Sequence, residues 1–207
     1  TGQQGAPAIL VVFDRVRTSG KGIRTYFLLN TLSRPERNGD TLVSRYGGGK
    51  LTTRMLLPSG ALKVEFHSGA DSRKVFGKAF DIPLTGLPEE NGTRTMISPA
   101  NQQQETQFLA VLQPGDPEVS PAPVKLREGS DHLELVSGDV LILLGRNFEP
   151  VMEALQFTVP AACRRVVFAD FAAGEWVIQP VSGEGTLRRF TSPAGELAGM
   201  LNLPPGK

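Results

Sequence analysis

Hydrophobic and polar residues alternate in short runs along this chain, and no run keeps a helical period for several turns. In Leu62 to His67, the residues Leu62, Val64 and Phe66 face one way and Lys63, Glu65 and His67 the other, the period-two signature of a half-buried strand. The segment Ile9 to Val16 is instead apolar on both faces at its start, which suits a central, doubly covered strand. Further strands are predicted over Arg24 to Asn30, Thr41 to Tyr46, Leu51 to Leu57, Arg94 to Ile97, Phe108 to Leu112, Val124 to Leu126 and His132 to Leu135. The series continues with Val140 to Leu144, Ala154 to Val159, Arg164 to Ala169, Trp176 to Gln179, Leu187 to Thr191 and Leu197 to Leu203. Turn signals separate them: Asn38-Gly39, Gly47 to Gly49, Pro58-Ser59-Gly60, Asn91-Gly92, Pro114-Gly115, Ser137-Gly138 and Ala173-Gly174. Many short strands at this spacing predict an all-β fold, a large antiparallel sandwich with few or no helices.

The 207 residues suffice for one large β domain, and a single sandwich over 1–207 is expected. A candidate seam lies at Gln113 to Pro123, QPGDPEVSPAP, and a weaker one at Ile82 to Gly92. The 23 glycines and 16 prolines agree with many tight turns. With 22 basic and 21 acidic residues the net charge is +1, so nothing global draws the chain to nucleic acid or an anionic membrane. No apolar run reaches the ~20 residues that span a bilayer. Cys163 is the single cysteine, which rules out an internal disulfide or a cysteine zinc cluster and is read as a half-buried structural thiol. The chain starts at Thr1 without a signal-like segment, which suggests a processed product or a fragment.

Catalytic motifs are missing: there is no phosphate loop, no Cys-x-x-Cys and no nucleophile elbow. RYGGGK at 45–50 is superficially like a phosphate loop but reads as a hairpin turn. Sugar-binding candidates are Tyr46, whose glycine flank would leave its ring open, and Trp176, the single tryptophan, where packing is the favoured reading over stacking. His67 stands near Asp71 as a uronate contact or, the favoured reading, a solvated or turn-capping residue; His132 beside Asp131 is read in the same way. The pairs at Arg164-Arg165 and Arg188-Arg189 are local basic spots, read as glycan contacts or as solvated strand edges.

Four segments together, VVFDRV at 11–16, LLPSGALKV at 56–64, ISPANQQQETQFLAVL at 97–112 and a hairpin at Asp170 to Val177, resemble the carboxy-terminal β-sandwich of heparinase II/III-like polysaccharide lyases. The resemblance covers most of the chain from about Ile9 onward. It implies a non-catalytic domain that supports or binds an acidic polysaccharide, in the periplasm or outside the cell, beside a helical catalytic domain that this chain lacks. Lyase chemistry needs a base, an acid and a group that neutralises the uronate; the resemblance places these mainly on the helical domain, so Tyr26 and Tyr46 take no catalytic role. It also implies a structural zinc at Asp14, but the next strand ends in Asn30 where relatives often carry His, a poor ligand set; no cofactor is expected. The alternatives are a free-standing carbohydrate-binding module or an inert structural or assembly domain.

Overall fold

The computed structural model describes residues 8–75, 77–79, 85–179, 188–192 and 198–202. Leu187, Leu197 and Leu203, at the ends of two expected strands, and the first residues of the weak seam at Ile82 to Gly92 lie outside them. The described residues form strands and turns, with two short 3-10 helices at Gly69–Arg73 and Pro88–Asn91, so the all-β, sandwich-like expectation holds. Two compact units are distinguished, Thr1–Pro121 and Ala122–Lys207. Their division falls within the proline-rich segment Gln113 to Pro123.

The amino-terminal unit contains β1 (Leu10–Arg17), β2 (Phe27–Thr31), β3 (Glu36–Asn38), β4 (Thr41–Tyr46), β5 (Gly49–Leu57), β6 (Leu62–Ser68), β7 (Lys74–Val75), β8 (Lys78–Ala79), β9 (Thr93–Pro99) and β10 (Glu105–Gly115). One sheet runs β1-β10-β5-β4-β3 and a second β2-β9-β6, with β7-β8 a small separate pair. Leu42, Met55, Phe108 and Ala110 of the larger sheet meet Leu29 and Ile97 of the smaller in one buried cluster. Val64 and Phe66 pack at its edge, as their alternation predicts. Phe27 and Phe108 stack across it with centroids 6.2 Å apart. Burying each such apolar side chain contributes about 1.5–3 kcal/mol.

Two strand expectations need correction. The doubly covered strand is β10, where Phe108, Leu109, Ala110 and Val111 are all 0% exposed; β1 is an edge strand with β10 as its one neighbour. The polar residues Asp14, Arg15 and Arg17 suit an edge better than a centre. Nor do Pro114 and Gly115 stop β10: they pair with Leu51 and Lys50 of β5. Because β1 begins at Leu10, opposite Leu112, no strand among the described residues pairs with Pro114 on that flank, and a proline without an N–H is tolerated.

The carboxy-terminal unit contains β11 (Val124–Glu128), β12 (His132–Ser137), β13 (Val140–Gly145), β14 (Arg165–Ala169), β15 (Gly174–Ile178), β16 (Arg188–Ser192) and β17 (Ala198–Asn202). Its sheet runs β11-β12-β13-β14-β17, and β15 pairs with β16. The pair β13-β14 is parallel, which demands a crossover. Residues 146–164 supply it without a helix, and the expected strand Ala154 to Val159 belongs to it. Leu155, Phe157 and Val159 do turn toward the core, but they cover the cluster of Leu141, Leu143, Val166 and Phe168 as an unladdered segment. Alternation reports burial on one side, not ladder bonding. The expected hairpin at Asp170 to Val177 is likewise a corner: β14 lies between β13 and β17, and β15 turns to β16. Asp170 takes φ 68 at this corner, a left-handed conformation that Asp tolerates better than most residues.

Each unit has a Gly-Asp hairpin loop of the same design. Gly39 (φ 60) and Gly138 (φ 56) hold the first loop position, where a positive φ favours glycine. Asp40 and Asp139 follow, and each reaches the next strand. The Asp40 carbonyl accepts from the Met55 amide at 2.9 Å, and the Asp139 carbonyl from Arg164 at 2.7 Å and Arg165 at 3.1 Å. Their carboxylates take Arg54 Nε and Arg165 Nη2, both at 3.0 Å.

Candidate functional site

One gathering of polar groups in the amino-terminal unit lies on the face of β2-β9-β6 turned away from its core. Val64, Phe66, Leu29 and Ile97 point into the core, so alternation turns Lys63, Glu65, His67, Leu28, Asn30, Arg94, Met96 and Ser98 to the opposite face, where Ser98 is nonetheless wholly buried. Register sets Asn30 opposite Arg94 and Arg94 opposite His67, giving a straight polar row across three strands. Leu28, Met96 and Glu65 form the next row. Beyond them Ser98 stands opposite Lys63 and accepts from Arg24 Nη1 at 3.1 Å.

Charge on this face is unequal. Lys63 and Arg94, with Arg24 beside them, stand against Glu65, the single carboxylate of β2, β6 and β9, which Lys63 Nζ approaches to 2.7 Å. The hydrogen bond from Lys63 holds the Glu65 carboxyl below its ordinary range, outweighing the opposite pull of burial. His67 Nε2 lies 3.8 Å from Glu65 Oε2. Arg94 donates from Nη2 to the Lys74 carbonyl. Buried nitrogens on these two facing residues, His67 Nε2 and Arg94 Nε, have no hydrogen-bond partner: Arg94 Nε is an unused donor, and His67 Nε2 donates or accepts according to its tautomer. Below it Asp71, whose carboxyl is lowered by its hydrogen bond with Lys74, ends the face with a 2.6 Å ion pair.

The other expected binding residues are dispersed. Tyr46 is 53% exposed at the β4-β5 hairpin, where Tyr46 pairs with Gly49 and RYGGGK is the hairpin turn expected. Trp176 belongs to the other unit and packs there: Phe171 meets its ring edge-on at 5.0 Å, and Nε1 donates to the Ala172 carbonyl at 2.9 Å. Arg164 donates to the Ala161 carbonyl at 3.1 Å, closing its own turn. Arg188 is half-buried in β16 opposite Ile178. His132, itself buried, lies 3.4 Å from the buried Glu134. Cys163 is 1% exposed, and burial pushes its thiol upward, the state of an inert packing residue.

The residues present do not fit a zinc site. Asp14 is exposed on β1 and Asn30 on β2, in different sheets. Among the described residues no group of three His, Cys, Asp or Glu side chains could hold a metal. No helix among them is long and apolar enough to cross a membrane.

Sequence reasoning marked His67 but missed Arg94 as its partner, because a pairing between residues 67 and 94 leaves no local trace. Arg45 and Lys50 were also missed, although their signal is present: a two-residue Gly47-Gly48 loop sets them opposite each other. Compared with known proteins, the chain matches no family model and no curated protein.

Proposed function

We propose that the chain is a non-catalytic β-sandwich module that holds an acidic polysaccharide against the outer face of β2-β9-β6. The observation that carries this reading is the row Asn30, Arg94 and His67, one polar side chain per strand. Strands lie about 4.8 Å apart, so a polyanion laid across them meets a donor at each step. Arg24 and Lys63 extend the positive field beyond the row. Phe27 and Phe66 pack inward on these strands, so recognition rests on charge-assisted hydrogen bonds rather than ring stacking. The resemblance to heparinase II/III-like lyases supports the same ligand class and a location in the periplasm or outside the cell.

Isothermal titration against heparin, alginate, polygalacturonate and neutral dextran tests the reading. One or more of the acidic polymers binds, dextran does not, and no unsaturated uronate appears in the ultraviolet. Asn30→Ala and His67→Ala each weaken binding by about three- to tenfold. Binding to none of the acidic polymers, or unchanged affinity in both variants, overturns the reading.

A further inference from the structure

We infer that the β4-β5 hairpin carries a separate oxyanion site, formed by Arg45 and Lys50, for a carboxylate or sulfate group. Cross-strand register puts Arg45 directly opposite Lys50, so both side chains leave the same face of the hairpin. Like charges in that position repel. Both heads nevertheless turn to one neutral acceptor: the Pro117 carbonyl takes Lys50 Nζ at 2.8 Å and Arg45 Nη1 at 3.4 Å. Neither cation has a carboxylate partner among the described residues, although Asp116 and Glu118 flank Pro117 in sequence. Elsewhere in this unit Arg17, Arg54, Lys63 and Lys74 each hold a carboxylate within 3.0 Å. Among the described residues the Arg45–Lys50 pair therefore converges two cations on one carbonyl without an ion-pair partner for either.

The surroundings favour an incoming anion. Lys50 is half-buried, so solvent screens its charge less than on an open surface. A Cβ placed on Gly47 or Gly48 would meet nothing within 4 Å, which leaves the tip open. A guanidinium fork beside an ammonium supplies directional donors and a point charge together, a combination that suits a compact oxyanion. This site does not rest on the polysaccharide reading, since it uses none of the residues of the sheet face.

The test follows Arg45 Nε–Hε and the Gly47, Gly48 and Gly49 amides by NMR. Sodium sulfate or sodium glucuronate replaces sodium chloride at constant ionic strength. Saturable shifts are expected; saturation by sulfate alone assigns a sulfate group, by glucuronate alone a carboxylate, and by both a general oxyanion site. Arg45→Gln and Lys50→Gln each weaken binding at least about tenfold, while Lys50→Arg retains it and shows that charge, not folding, was lost. Linear shifts with both salts, or unchanged affinity in the double Gln variant, overturn the site. Weakened glycan binding in Asn30→Ala with these shifts intact separates the two sites.

Discussion

The Gly-Asp loops of the two units solve one problem in two settings. Asp40 links the β3-β4 hairpin to β5, which runs antiparallel to β4. Asp139 links the β12-β13 hairpin to β14, which runs parallel to β13. In both, a carbonyl captures an amide of the third strand while the carboxylate captures an arginine of that strand. The anchor is thus indifferent to strand direction, because it fixes only where the third strand passes the loop. What differs is how the chain arrives. In the amino-terminal unit β5 follows β4 through a two-residue loop, whereas in the carboxy-terminal unit residues 146–164 must first cross over the core. Local turn chemistry suffices for the first arrangement; the second needs the packing of Leu155, Phe157 and Val159 as well.

The largest test of this contrast lies in the two cores. Phe168 meets Phe157 and Phe171 edge-on at 5.9 and 5.4 Å, so Phe168→Ala removes ring contacts on the crossover as well as volume. A loss of about 3–5 kcal/mol is expected in chemical denaturation. Phe108→Ala falls toward the lower end of that range, since Phe108 meets Phe27 at a tilt of 39°. A greater cost for Phe108→Ala would show that packing around the crossover is not what distinguishes the units.

Next come the loop glycines. Gly39→Ala and Gly138→Ala each force a side chain into a left-handed φ, at about 1–2 kcal/mol. Equal losses in thermal denaturation confirm a shared loop design; a twofold inequality breaks it.

The smallest effect concerns acid. Burial pulls the Asp40 carboxyl upward, but hydrogen bonds from Arg54 and Thr41 outweigh it and leave the group below its ordinary value. A carboxyl depressed in the folded state adds stability above its unfolded pKa, and that stability is lost as pH falls through the folded one. Asp40→Asn should therefore flatten the acid limb of the stability curve while costing only about 0.5 kcal/mol at neutral pH, since the pair is 43% exposed on both sides. An unchanged acid limb in the variant would remove Asp40 as its source.

These contrasts also mark what the sequence could disclose. Glycine placement announced the hairpins at Gly39, Gly47 and Gly138, and the alternation in Leu62 to His67 announced which side of β6 is buried. Strand order left no such trace. The apolar start of the first strand, Ile9 to Phe13, reads like a central strand yet β1 stands at an edge, and Ala154 to Val159 alternates like a strand yet joins no ladder. Both outcomes depend on which distant segment arrives beside them. The same holds for the candidate sheet face: His67 could be singled out by residue type, but its row with Arg94 and Asn30 exists only through pairings remote in sequence. For Trp176 the sequence favours packing over stacking, and it packs against Phe171; which ring it meets leaves no local trace.

The position of β1 has a consequence for biosynthesis. Its ladder partner β10 reaches from Glu105 to Gly115, so the ribosome releases LVVFDRVR long before the strand that will cover it. Until then an apolar strand waits with both edges open, the kind of segment through which nascent chains aggregate. Asp14, Arg15 and Arg17 interrupt that run with charge, and charge of this kind disfavours self-association of an exposed strand. After folding, Arg17 holds Glu105 at 2.7 Å, at the end of the strand whose arrival ends the wait.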